Sequence, residues 1–285
     1  MTNLARIQKL AALAVGGAGG VAIYLYAVKR EQSPFVENSW TTNVVVPDEA
    51  KWDFNWDHRD PKSIVKPLRK NATDDDVHKY NEKLEAAKSK AVRHLILIRH
   101  GQYNLDGTTD DERYLTEIGR TQANLTGQRL KVLDIKWDKM IRSTMTRAQE
   151  TGKIISTELA MNFPIENCSL IEEGAPIQPQ PAVGHWAPEP SQFFQDGARI
   201  EAGFRKYFHR ADAKQEKDSY TLMVCHANVI RYFVCRAMQF PPEAWLRLSL
   251  NHASITWLSI LPSGRVILRS MGDSGHMPPK FVTSR

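Results

Sequence analysis

The stretch HLILIRHG at residues 94–101 decides the reading of this 285-residue chain. The apolar run HLILI has the length and composition of a buried strand, and Arg99-His100-Gly101 follows at its carboxyl end. Open α/β sheets build their sites at that edge, and Gly101 lets the backbone turn tightly just past it. A neutral imidazole there, with an ordinary pKa near working pH, has the chemistry of a nucleophile toward phosphorus.

Three further stretches raise a three-residue match to a constellation. LTEIGRTQA at 115–123 opens with Thr116 at a helix N-cap, and Leu125, Leu130 and Leu133 continue an apolar helical face. Residues 137–141 read as a second strand that runs into RSTMTRAQET, in which Ser143 is suited to cap a helix and Arg147 sits one turn in. Residues 220–225 (YTLMVC) read as a third strand ending in His226, with a helix following through Val229, Ile230, Phe233 and Val234. Any one of Arg99, His100, Arg147 and His226 could be a surface cation or a satisfied histidine at a strand end. Four phosphate-compatible groups that each follow a predicted strand are read together as a site.

Composition sets the frame. Hydrophobic residues make up 42% and charged residues 25%, values at which a chain buries a core. The net charge of +6 is spread without a basic stripe, so nucleic acid is not an expected partner. Cys168, Cys225 and Cys235 are odd in number and lack CxxC spacing, which points to buried thiols rather than a disulfide framework or a metal site. No cofactor is expected.

Upstream, residues 10–28 form 19 consecutive uncharged positions bracketed by Arg6, Lys9, Lys29 and Arg30. A helix of about 1.5 Å per residue would carry such a segment across the hydrocarbon layer, so a single span is expected. Residues 31 to about 90 hold Pro34, Pro47, Pro61 and Pro67 among many charges, the pattern of a tether. Within it lies Trp52-Asp53-Phe54-Asn55-Trp56-Asp57, whose aromatics need a surface to cover them, on this domain or on another chain. Residues 74–92 run from acidic to basic as a helix dipole favours, and a helix is expected there.

RHG at 99–101, the LTEIGRTQA helix, the S-x-x-x-R-A-x-x-T run ending at Thr151 and His226 together resemble the histidine phosphatase superfamily, also called phosphoglycerate mutase-like, over about residues 92–275. The stretches EEGAPIQPQP, HRADAKQEKDSY, CHANVIRYFVCRAMQFPPEAWLRLSLN and GHMPP, with the N-terminal span and WDFNWD, resemble its mitochondrial serine/threonine phosphatase branch. The resemblance implies a three-layer α/β/α fold with a mostly parallel sheet. It implies His100 as nucleophile, Arg99, Arg147 and His226 as phosphate ligands, and Asn104 as a further one. A glutamate after the third motif should be the general acid: Glu173, with Glu172 as the alternative register. It also implies a mitochondrial membrane location, phosphoprotein substrates including kinases of the apoptosis-signal-regulating class, and homo-oligomers formed through Trp52, Asp53, Asn55, Trp56 and Asp57. The expected organisation is an anchor at 1–30, a tether with a leading helix at 31–91 and a catalytic domain at 92–285. The short stretch between Gly101 and Leu115 suggests an open mouth, suited to a phosphoprotein loop rather than to a mutase that must shield its phosphohistidine.

Overall fold

A computed structural model describes residues 51–284, apart from 161 and 185. The expected anchor at 1–30 lies outside the described residues, among which no helix is long and apolar enough to cross a membrane. Residues from Trp52 onward form one compact unit.

Strand β1 (Arg93–Arg99) is buried along its whole length, as its unbroken apolar run requires of a central strand. It pairs in parallel with β4 (Ser219–Cys225) on one side and antiparallel with β5 (Ile255–Ile260) on the other. Beyond β4 lie β2 (Lys139–Ser143) and β3 (Ile165–Cys168), and beyond β5 lies β6 (Val266–Asp273), giving the order β3-β2-β4-β1-β5-β6. Four parallel strands with an antiparallel pair at one edge make the sheet mixed and mostly parallel.

The two-residue alternation of β1 sorts its side chains to opposite faces. Leu95 and Leu97 join a core with Phe204, Val229 and Phe233, whereas Ile96 and Ile98 join one with Leu130, Ala148 and Ile155. Helices α4 (Pro190–Tyr207) and α5 (Ala227–Ala237) therefore cover one face. Helices α2 (Glu117–Val132) and α3 (Thr146–Leu159) cover the other. The three cysteines are free and buried.

Three local expectations need correction. The leading helix α1 (Asp74–Ala86) starts on a Thr73–Asp76 capping box but ends six residues short of position 92. Its continuation is drawn into the sheet: Val92 N donates to Asp218 Oδ1 at 2.7 Å and its carbonyl accepts from Ser219 N at 3.0 Å. Strand β2 begins at Lys139 rather than Trp137, whose ring fills the core beside Phe163. Residues 52–57 do not act as a free tether. Trp56 is buried against Phe204 and donates from Nε1 to Gly264 O at 2.7 Å. Asp57 forms a buried ion pair with Arg210 at 2.6 Å. The aromatics thus find their cover on this chain's own domain, while Phe54 stays 55% exposed.

Candidate active site

Parallel pairing fixes where the strand ends meet. Arg99 stands opposite Cys225 in the β1–β4 register, so His100 and His226, the next residue of each strand, emerge side by side. Their rings lie 5.1 Å apart. His100 Nδ1 sits 2.8 Å from Gly101 O, and because a carbonyl only accepts, Nδ1 carries the proton. Nε2 is left with its lone pair. Burial, then His226, Arg147 and Arg99, hold the His100 pKa well below the ordinary imidazole value, so the ring is neutral and nucleophilic.

The turn that presents His100 is fixed by close backbone packing. A Cβ on Gly101 would lie 2.5 Å from Gly119 O, and one on Gly119 would lie 1.9 Å from Gln102 O. Glycine at both positions lets the first turn of α2 rest on the loop that follows His100. Thr116 caps that helix as expected, accepting from Gly119 N at 3.1 Å. Thr151 Oγ1 accepts from Gly101 N at 3.0 Å and donates to Arg147 O at 2.7 Å, joining the loop to α3.

Arg99 and Arg147 both come to the cluster. Arg99 donates from Nη1 to Leu250 O at 2.6 Å and to Ser284 O at 3.1 Å, and its Nη2 lies 3.0 Å from His252 Nε2. A guanidinium only donates, so His252 Nε2 is the acceptor and its Nδ1–H faces Thr283 Oγ1 at 2.8 Å. Burial and then Arg99 push the His252 pKa down to about 3, in keeping with that neutral tautomer. Arg147 packs over the Tyr103 ring at 4.8 Å, and the same ring meets His100 edge-on at 5.1 Å. The Nε atoms of Arg99 and Arg147 and the Nδ1 of His226 are buried without a protein partner. The two arginine Nε–H groups are buried donors left open beside the paired histidines, and His226 Nδ1 is a third when Nε2 accepts from Ser143 Oγ; such groups suit an anion that supplies the missing acceptors.

Ser143 does not cap α3. Its hydroxyl lies 2.7 Å from His226 Nε2, and the helix instead opens at Met145 with no side-chain cap of its own. Asp110 takes that place from outside: one carboxylate oxygen accepts from Thr146 N and Thr146 Oγ1, both at 2.8 Å, and the other lies 3.5 Å from Arg147 Nη1.

Glu173 and Glu172 part ways. Glu173 lies with His100 and His226 so that their ligating atoms all fall within 4.8 Å of one another. Glu172 turns outward to the hydroxyl of Thr144. Burial raises the Glu173 pKa against the opposing pull of Arg147, Arg99 and Arg231, which favours a protonated acid. His, Glu and His are metal-ligand types, but three arginines bear on the same pocket, so a cation would meet repulsion where an anion meets attraction.

Asn104 is not brought to the cluster. Its amide donates to Glu112 O at 3.0 Å and its Oδ1 accepts from Asp106 N at 3.2 Å, closing the loop that carries Asp110. Sequence reasoning missed Asp110, Arg199, Arg231 and His252. Of these only Arg231 had a local signal, standing one helical turn past Asn228 beside His226.

The family model described as "Histidine phosphatase superfamily (branch 1)" matches residues 95–271. The chain is 58% identical over 283 residues to the mitochondrial serine/threonine-protein phosphatase Pgam5 of Drosophila willistoni, covering 98% of this chain and 97% of that one. It is 55% identical over 281 residues to the Drosophila virilis protein of the same name, with the same coverage. Among solved structures, a phosphoglycerate mutase from Plasmodium falciparum is 32% identical over 67% of this chain and 96% of its own, with a TM-score of 0.47.

Proposed function

The chain belongs to the histidine phosphatase superfamily, branch 1, and from that membership we propose that it is a mitochondrial serine/threonine-protein phosphatase working through a phosphohistidine. The observation that carries the reading is the neutral, buried His100 grouped with His226, Arg99 and Arg147, with Glu173, its pKa raised by burial, beside it.

In the first step the His100 Nε2 lone pair forms a bond to phosphorus. The bond from phosphorus to the seryl or threonyl oxygen breaks, and that oxygen takes the Glu173 proton and leaves as the alcohol. The acid is needed because an alkoxide is a poor leaving group. In the second step the Glu173 carboxylate accepts a proton from water as the water oxygen bonds to phosphorus. The P–N bond breaks, its electron pair returns to Nε2, and phosphate departs. Arg99, Arg147 and His226 oppose the negative charge spread over the phosphoryl oxygens throughout.

The finer parts of the reading rest on the resemblance. Residues 10–28 hold the enzyme at a mitochondrial membrane by a single span. Residues 52–57 take part in self-association, for which the exposed Phe54 ring offers an apolar contact. Signalling kinases are the substrate class. The test is turnover of a phosphoserine peptide by the full-length protein, beside 3-phosphoglycerate. Peptide preference, an acid-labile phosphoenzyme and loss of both in His100→Ala are expected. Preference for 3-phosphoglycerate would overturn the substrate class, and normal turnover by His100→Ala would overturn the nucleophile.

A further inference from the structure

The segment that carries Glu173 has no regular secondary structure of its own. Residues 172–176 run between a short 3-10 turn (Ser169–Ile171) and the loop before α4, so, beyond Glu172 N, which closes that turn on Ser169 O at 3.2 Å, their backbone groups lie outside any sheet or helix ladder. Buried carbonyls of that kind need donors from elsewhere. Arg199, on α4, supplies them: Nη1 donates to Glu172 O at 2.8 Å and Ser169 O at 3.2 Å, and Nη2 donates to Glu173 O at 3.0 Å. Asp196, one turn earlier, accepts from Arg199 Nη2 at 2.9 Å and, with its other oxygen, from Ala175 N at 2.9 Å.

The fit leaves no clearance. A Cβ on Gly174 would fall 2.6 Å from Asp196 Cγ and 2.7 Å from Arg199 Nη2, and one on Gly197 would fall 2.5 Å from Pro176 O. From the opposite side, Asn228 donates its backbone N–H to Glu173 Oε1 at 3.3 Å and its amide to Gly174 O at 3.1 Å. Glu173 is thus gripped by its backbone from α4 and by its carboxylate from α5. Without the grip, a buried carboxyl would lower its free energy by swinging toward water.

We propose that Arg199, braced by Asp196, is a positioning residue that holds Glu173 over the leaving oxygen. This rests on the assignment of Glu173 as general acid. Arg199 touches no reacting atom, and in the first step, the one that kcat/KM reports, its effect is confined to substrates whose leaving group needs a proton, while the water step is common to all substrates. Phosphoserine needs one, whereas p-nitrophenyl phosphate releases a stable phenolate without one.

The experiment compares kcat/KM for a phosphoserine peptide and for p-nitrophenyl phosphate in full-length Arg199→Met, Arg199→Lys, Asp196→Ala and Glu173→Gln. The ratio of the two values within one preparation is independent of how much enzyme is folded. Glu173→Gln should lose about 10²- to 10⁴-fold on the peptide and far less on the aryl ester. Arg199→Met and Asp196→Ala should each shift the ratio the same way by roughly tenfold or more, given what a small misplacement of a catalytic group costs. The alkaline limb of the Arg199→Met peptide profile should also move to lower pH, as a loosened Glu173 regains water. Equal losses on both substrates, or none, would overturn the clamp, as would full restoration by Arg199→Lys, which keeps the charge but not the fork of donors. If Glu173→Gln itself leaves the ratio unchanged, the acid assignment fails instead, and the two failures are told apart.

Discussion

Replacing Asp57 by Ala tests whether residues 52–57 are part of this domain or a contact reserved for other chains. Asp57 Oδ2 accepts from Arg210 N at 2.8 Å and Nε at 3.2 Å, and Oδ1 accepts from Nη2 at 2.6 Å. The two side chains are 0% and 3% exposed. Removing one member of such a pair strands a buried guanidinium and costs about 3–5 kcal/mol. Against a total stability of roughly 5–15 kcal/mol that is a large fraction. For a unit of this size it corresponds to a fall of about 6–20 °C in Tm. Urea unfolding followed by tryptophan fluorescence reads the loss as a shift in midpoint at constant slope. Asp57→Leu with Arg210→Met should recover much of it, since an apolar pair leaves no charge uncompensated. A loss below about 1 kcal/mol, the range of solvated pairs, would refute the reasoning. So would a loss that vanishes on tenfold dilution, because an intramolecular seat is blind to protein concentration. The pH dependence has a fixed sign. Burial alone would raise the Asp57 pKa, but the Arg210 hydrogen bonds and charge hold it below the ordinary value. The stabilisation is therefore complete above about pH 4, the unfolded value, and fades as pH falls through the folded one.

Three further outcomes are expected. Asp110→Asn keeps the cap on Thr146 but removes a fixed negative charge 3.5 Å from Arg147, so inorganic phosphate should inhibit more tightly. At a partly exposed site the gain is about 1 kcal/mol, or roughly fivefold in Ki, and an unchanged Ki would count against it. Gly119→Ala should cost at least about 1–3 kcal/mol by overpacking, since its Cβ would lie 1.9 Å from Gln102 O. Activity should fall with the displaced turn, read by thermal melting and kcat. Because burial raises the Glu173 pKa, turnover of phosphoserine should decline as pH rises through that raised value, and Glu173→Gln should abolish this limb.

The residues legible in the sequence are those whose position is set by the strand they follow. Arg99 closes β1, His100 and His226 directly follow β1 and β4, and Arg147 comes four residues after β2, so parallel pairing of these strands carries them to one edge. Strands β1, β2 and β4 and helices α2, α3 and α5 were legible for the same reason, since period and length are local, whereas α4 and strands β3, β5 and β6 were not read from the sequence. What was not legible depends on distant partners. Ser143 looked like a helix cap because the sequence shows the helix but not His226 beside it. Asp110 lies 36 residues from the helix it caps, and Arg199 lies 26 from the glutamate it holds. WDFNWD announced that its rings need cover, but whose surface provides it is a tertiary question.

The contact between Gly101 and Gly119 has a mechanical meaning. With backbone against backbone, the nucleophile loop and α2 meet without the side-chain cushion that elsewhere absorbs small shifts. Gln122, farther along the same helix, accepts from Gln102 N at 2.8 Å and donates to Phe281 O at 2.7 Å. Helix α2 and the loop after His100 are thus joined rigidly, backbone to backbone and through Gln122. A shift of the helix, pressed on its exposed first turn at Glu117 or through α3, which Asn124 and Arg120 reach at Glu158 and Glu150, would be felt at His100 with little play in between.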